Sequence, residues 1–176
     1  MNSHEPETIV TRQAGNRVLL GTVAVGLLTT VHHVYGAVVY DTPWRHHAVI
    51  VAGLATGLIA GALYLSQKPS GGAIATIGRW AFISNTLAVP ILSFGVFEGA
   101  YNHCVKDALY FGGASADLMR RLFPPPTYEL PNDVFFEITG VMQVLPAAFT
   151  AFALYRFVRE RTGKVRRSAE IIAKAA

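Results

Sequence analysis

The sequence predicts an all-α integral membrane protein: a bundle of four transmembrane helices, both termini cytoplasmic, with a long outer loop between helices 3 and 4. Three observations carry this reading. The chain is 52% hydrophobic and 15% charged, with a mean hydropathy of +0.36, whereas a soluble domain carries about a quarter charged residues. Four apolar runs, residues 18–40, 48–66, 80–101 and 134–157, each approach or exceed the ~20 residues that cross a bilayer. With that topology eleven of the 15 lysines and arginines fall on the inner side (Arg12, Arg17, Lys68, Arg79 and seven from Arg156 onward), against Arg45, Lys106, Arg120 and Arg121 outside. That is the positive-inside bias of membrane proteins.

The chain divides into an N-terminal tail over 1–17, a membrane domain over 18–157 and a basic cytoplasmic tail over 158–176. The tail at 1–17 is polar and reads as poorly ordered. The first apolar run is longer than that of a cleaved signal peptide and has no small-residue cleavage site, so it is expected to stay as a helix. Asp41-Thr-Pro is a turn signal after it, and Trp44 suits the boundary between water and lipid. The second run closes on the breaker-rich loop Gln67-Lys-Pro-Ser-Gly-Gly72. The third contains Pro90, a predicted kink that neighbouring helices accommodate. In the outer loop, residues 115–123 read as a short amphipathic helix on the interface, stopped by the prolines at 124–126. The basic tail fits anionic lipid, so the net charge of +4 requires no nucleic acid. A multi-pass protein of a bacterial inner membrane is the expected setting. The single Cys104 excludes an intramolecular disulfide and a cysteine-only zinc site.

The functional signal is one-sided. Five of the six histidines and both span carboxylates, Glu98 and Glu137, fall at the outer end, and only His4 lies in the inner tail. Charged groups in hydrocarbon are costly and mark functional sites by default. On a rise of ~1.5 Å per residue, His33, Glu98 and Glu137 sit roughly 6, 10 and 12 Å outward of their span midpoints. The 3.6-residue period places His33 on a small and polar stripe with Thr22, Gly26, Thr29 and Gly36, and Glu98 on a stripe with Ser84, Gly95 and Asn102. Gly53, Gly57 and Gly61 offer a close-approach stripe on the second span, and Glu137, Gly140 and Val144 one on the fourth. His32 shares a more apolar stripe with Val25 and Leu28 and is expected to face lipid or to be capped by a hydrogen bond. The aromatics near this end (Tyr101, Tyr110, Phe111, Phe123, Tyr128, Phe135, Phe136) read first as an interfacial belt and second as the mouth of an apolar pocket.

His33, His46, His47, Glu98, His103 and Glu137 are therefore the candidate metal ligands, with Glu98, Glu137 and His33 the candidate catalytic groups. Imidazole and carboxylate together suit a transition metal, iron favoured, with zinc or copper as alternatives. Helix bundles that hold two irons use a Glu-x-x-His pair, which is absent here. Glu98 and His103 are five apart, ~140° round an α-helix, so sharing an ion demands that the helix unwind near Gly99 or end there. A haem between two histidines is less favoured, because His33 and His103 differ by ~10 Å in estimated depth. The leading functional expectation is a metal-dependent membrane oxidoreductase or redox component acting on a small or lipid-soluble substrate. One alternative is a metal-free isomerase using Glu/His acid–base chemistry on an apolar substrate. The other is a non-enzymatic subunit that anchors or assembles a membrane complex, with a membrane partner or a second copy.

Overall fold

The computed structural model describes residues 5–68, 72–125 and 128–175, and among these there is helix and no strand. His4, residues 69–71 of the breaker-rich loop and Pro126 lie outside the described residues. Helix α1 (Glu5–Val39) is followed by a 3-10 turn (Pro43–His46) and α2 (His47–Ser66). Helix α3 (Ala73–Thr86) passes directly into a π-helical segment (Leu87–Val105) and then α4 (Lys106–Phe111). A short α5 (Ala116–Leu122) precedes α6 (Val134–Met142) and α7 (Val144–Ala175). Four stretches are long and apolar enough to cross a membrane: Arg12–Val39, Pro43–Ser66, Ala73–Phe111 and Val134–Gly163.

The surface is inverted relative to a soluble bundle. Leu20, Leu27, Leu54, Leu58 and Ile77 are each more than 60% exposed, while Thr29, His32, His103, Gln143 and Thr150 are at most 2% exposed. Such a surface suits lipid, and the interior polar groups find partners across helices. Helix α1 is central, packed against α2, α6, α7 and the π segment, and α2 and α3 form a hairpin. Val18, Ile59, Phe82, Leu154 and Phe157 fill the end remote from the histidines, and Val25, Ala52, Phe94 and Ala147 the middle. The polar end lies above both clusters.

Helix ends follow breakers rather than polarity. Helix α1 starts at Glu5 instead of near Val18, because nothing in 5–17 stops it and Ala14 already packs in the core. It ends in a Schellman turn: Thr42 N–H donates to Ala37 O at 3.0 Å and Asp41 N–H to Val38 O at 3.5 Å, with Asp41 left-handed at φ 50°. The third span runs on past Tyr101 to Phe111 and stops at Gly112-Gly113, where Gly113 has φ 81°. In the outer connection Ser115 caps α5 by accepting from Leu118 N–H, and Met119 is buried. Pro90 lies just inside the π segment, which begins at Leu87. A proline lacks the N–H an α ladder needs at that point and crowds the preceding turn, so the strain appears as a wider helix.

The glycine stripe of α2 corrects an expectation. A Cβ on Gly53, Gly57 or Gly61 would meet nothing within 4 Å, and the packed face is built from Ala48, Ala52, Ala55, Ile59 and Ala62. Alanine is small enough to serve the contact, which leaves the glycines outside. The close approach lies on α3, where a Cβ at Gly78 would stand 2.7 Å from Leu65 Cβ and 2.8 Å from Ser66 N. Gly78→Ala is expected to destabilise the protein by ~1–3 kcal/mol through this overpacking. Gly57→Ala should be neutral or stabilising by up to ~1 kcal/mol. Thermal unfolding in detergent checks both; matching melting temperatures for the two variants would contradict the α2–α3 contact.

Candidate metal centre

The site lies where α1, the π segment, α4 and α6 meet. Two hydrogen bonds pin α6 to the end of α1: Tyr35 donates to Asp133 Oδ2 at 3.1 Å, and Tyr40 to Asn132 Oδ1 at 2.7 Å. Tyr40 lies between the first two spans, and its phenol is pushed up to about 12, first by burial and then by the Glu137 carboxylate, so it stays a neutral donor. Asp133 also caps α6, accepting from Phe136 N–H at 2.8 Å. This sets Phe136, Glu137, Thr139 and Gly140 against the histidines. A Cβ on Gly140 would collide with the His103 ring, so only glycine lets the two helices close.

Glu98 Oε1 is the hub. His32 Nε2 and His33 Nε2 each lie 3.5 Å from it and His103 Nε2 lies 3.7 Å away, while the His32 and His103 Nε2 atoms are 3.1 Å apart. These are long for hydrogen bonds between an imidazole and a carboxylate. They match the edges of a coordination tetrahedron, where ligand atoms ~2.0–2.2 Å from an ion stand roughly 3.4 Å from one another. The ligand atoms of His32, Glu98 and His103 all fall within 4.8 Å of one another.

Hydrogen-bond partners set the tautomers. The Thr139 hydroxyl donates to the carbonyls of Phe135 and Phe136 at 2.8 and 3.0 Å, so it accepts from His32 Nδ1 at 3.0 Å. His103 Nδ1 donates to Glu137 Oε2 at 2.5 Å. With Nδ1 protonated on both rings, the two neutral imidazoles present bare Nε2 lone pairs to each other and to Glu98. That arrangement is repulsive unless a cation or a proton sits among the three groups. A carboxylate–histidine pair of the His103–Glu137 kind is also what orients metal-bound imidazoles.

Lys106 completes the second layer. It is 2% exposed and donates from Nζ to Glu137 Oε1 and to the Glu129 carbonyl, both at 3.0 Å. His103, Asp107 and Glu137 form a second grouping of ligand type, but there the ammonium of Lys106 already serves as the cation. Asn102 Nδ2 donates to Glu98 Oε2 at 2.8 Å and turns Oε1 toward the histidines.

Of the residues expected from sequence, the structure brings His33, Glu98, His103 and Glu137 together, with Glu137 in the second layer. His46 and His47 are exposed, and their Nδ1 atoms bond the Pro43 and Trp44 carbonyls at 2.8 and 2.7 Å. The His47 ring stays 6.3 Å from that of His33, at the rim. The helix does not unwind at Gly99. It takes the i→i+5 hydrogen-bond ladder, in which residues five apart return to one face, and so brings Glu98 beneath His103. His32 is wholly buried rather than lipid-facing and stacks on Phe136 with centroids 4.1 Å apart. Because α1 is packed on several sides, its buried arc takes in both stripes of its helical wheel. The His32–His103 contact leaves no gap for a porphyrin plane between those rings.

Lys106, Thr139 and Arg45 were not expected at the site, whereas Asn102 shares the face of Glu98 as its stripe predicts. The signal for Lys106 was the lack of any breaker between Tyr101 and Gly112, which carries His103, Lys106 and Asp107 onto one helix. A cavity of about 210 Å³ opens beside the cluster, lined by His33, Glu98 and His103 on one side and by Trp44, Arg45, Phe97, Tyr128 and Phe136 on others.

Removing the cation at Glu137 should be severe. Lys106→Met strands a buried carboxylate and is expected to cost ~3–5 kcal/mol, and Lys106→Met with Glu137→Gln should recover much of that loss. Thermal unfolding of both in detergent is the measurement, and a double variant less stable than the single would contradict the pairing. Compared with protein-family models, curated proteins and solved structures, the chain matches none.

Proposed function

We propose that this chain is a multi-pass membrane metalloprotein that acts as a metal-dependent oxidoreductase or redox component on a small or lipid-soluble substrate. The carrying observation is the meeting of three imidazole Nε2 atoms with Glu98 Oε1, at 3.5–3.7 Å from it. His32, His103 and Glu98 make a two-histidine, one-carboxylate set with room for further ligands, the donor set of non-haem iron(II) sites that handle oxygen. Iron is accordingly the ion favoured, with His33 the adjacent fourth donor. Charge supports a cation as well. Glu98, Asp107, Glu129 and Glu137 gather around Arg45 and Lys106, so with neutral histidines and ionised carboxylates the cluster carries a net charge of minus two. A divalent ion balances it.

Orientation enters the same reading. The lysine and arginine bias puts the His/Glu end toward the outer face, with both termini inside. The long connection between the third and fourth spans is then an outer loop, and a bacterial inner membrane is the setting that fits.

The 2.5 Å contact between His103 Nδ1 and Glu137 Oε2 favours one second reading. With His103 as an imidazolium between Glu137 and Glu98, the same groups would pass protons to an apolar substrate without a metal. Elemental analysis of the purified full chain separates the two. About one iron per chain is expected for the parent, with His32→Ala, Glu98→Ala and His103→Ala each reducing it at least tenfold and His46→Ala leaving it unchanged. Less than about a tenth of an equivalent of any transition metal in the parent, with the ligand variants behaving alike, removes the metal reading. Activity that persists in strong chelator but not in Glu98→Gln would establish the acid–base one. Folding only in the company of a membrane partner that touches these groups would favour an assembly subunit instead.

A further inference from the structure

The cavity holds a set of groups that the His/Glu centre does not use. Arg45, from the turn between α1 and α2, lines it and is 5% exposed. Its Nε donates to Thr42 Oγ1 at 2.7 Å, but its buried Nη2 has no hydrogen-bond acceptor among the described residues. The nearest carboxylate oxygen, Glu129 Oε1, is 3.6 Å away, outside hydrogen-bond reach. Three rings fix the guanidinium, with Trp44, Phe136 and Tyr40 centroids at 5.0, 5.3 and 5.7 Å. A buried charged donor without an acceptor is costly to keep, and one held this rigidly is ready to meet an acceptor from outside. Lys106, the other cation on the cavity wall, is engaged by Glu129 and Glu137.

Three properties define what would fit. Trp44, Phe97, Tyr128 and Phe136 give the lining four aromatic side chains among its polar ones, and Trp44 and His47 stand nearly parallel, 14° apart, presenting flat surfaces. A dry cavity of ~150 Å³ admits benzene, so about 210 Å³ holds one substituted six-membered ring. Two of the lining rings, Trp44 and Phe97, are also 47% and 51% exposed at the protein's apolar exterior. The Glu129 carboxylate already stands 3.6 Å from Arg45 Nη2, which disfavours a second anion there.

We propose that this cavity is the head-group site for a neutral cyclic carbonyl compound from the bilayer, a quinone or conjugated ring ketone. Its carbonyl oxygen accepts from Arg45 Nη2, its ring lies among the aromatic walls, and its alkyl tail leaves past Phe97. This deepens the oxidoreductase reading by naming a substrate class, yet binding depends on Arg45 and the aromatic walls rather than on the metal ligands.

The test uses the full chain in lipid nanodiscs with Trp80→Phe, which leaves Trp44 as the sole tryptophan. Decyl-1,4-benzoquinone should quench Trp44 saturably, and a decyl-substituted cyclohexenone should displace it. Decylbenzene and decanoate should displace it at least about tenfold less well, and Arg45→Gln should weaken quinone binding about tenfold or more. Equal displacement by decylbenzene overturns the proposal, as does better displacement by decanoate. So does a folded Arg45→Gln protein that binds within about twofold of its parent. The competition order is read on a protein with Arg45 intact, so it decides even if Arg45→Gln does not fold. Metal content is measured on the same samples. Carbonyl-selective binding without metal removes only the metalloprotein reading, and bound metal without such binding removes only this one.

Discussion

Ionised groups enclosed by apolar helices must be balanced locally, and the histidine end of this protein is arranged around that requirement. Glu137 meets it with His103 on one oxygen and Lys106 on the other. Glu98 meets it with Asn102 on one oxygen and three imidazoles facing the second. Water cannot supply the missing partners among apolar side chains, so His32 and His33 come to Glu98 from α1, and His103 and Lys106 to Glu137 from the third span. The cap of α6, the ties from Tyr35 and Tyr40, and the absent side chain at Gly140 all serve to bring those helices into range. The packing of the helices and the candidate site therefore share one set of contacts at this end, while the apolar clusters around Phe82 and Phe94 hold the remainder.

The π segment is what makes this enclosure geometrically available. Gly95 and Gly99 let it close on the fourth span, where Ala147 and Val144 would otherwise clash with a side chain. Pro90 interrupts the α ladder at its start. The wider ladder then presents Glu98 and His103 on one side, with Asn102 beside them. A segment of this type is rare, and π turns occur disproportionately at functional sites.

Much of the fold was legible in hydropathy. Four spans, the crowding of histidines and carboxylates at one end, and the short capped helix after Ser115 all follow from apolar run length, charge and breakers. Side-chain facing was less legible, for reasons that differ between residues. For His32, a helix packed on several sides buries more of its wheel than one stripe shows. Glu98 and His103 are incompatible on a 3.6-residue period but meet on the i→i+5 ladder. Lys106 belongs to the span because the helix ends at Gly112 rather than at the polar residues after Tyr101. The glycines of α2 looked like a contact face, yet the alanines beside them made the contact. Arg45 carried no signal at all, since an arginine at a span boundary ordinarily reaches water.

The π register also bears on how such a site could arise. In an α-helix a glutamate and a histidine four residues apart share a face, and here they share it five apart. One added residue between them, absorbed as a wider turn instead of a rotation of everything downstream, converts the first spacing into the second. Insertion of a single codon would then leave the pair facing each other and keep the side chains on either side of it, Phe94 included, on their original faces. Homologues that differ by one residue in this stretch would accordingly preserve both the Glu/His pair and the side chains that line the bundle below it.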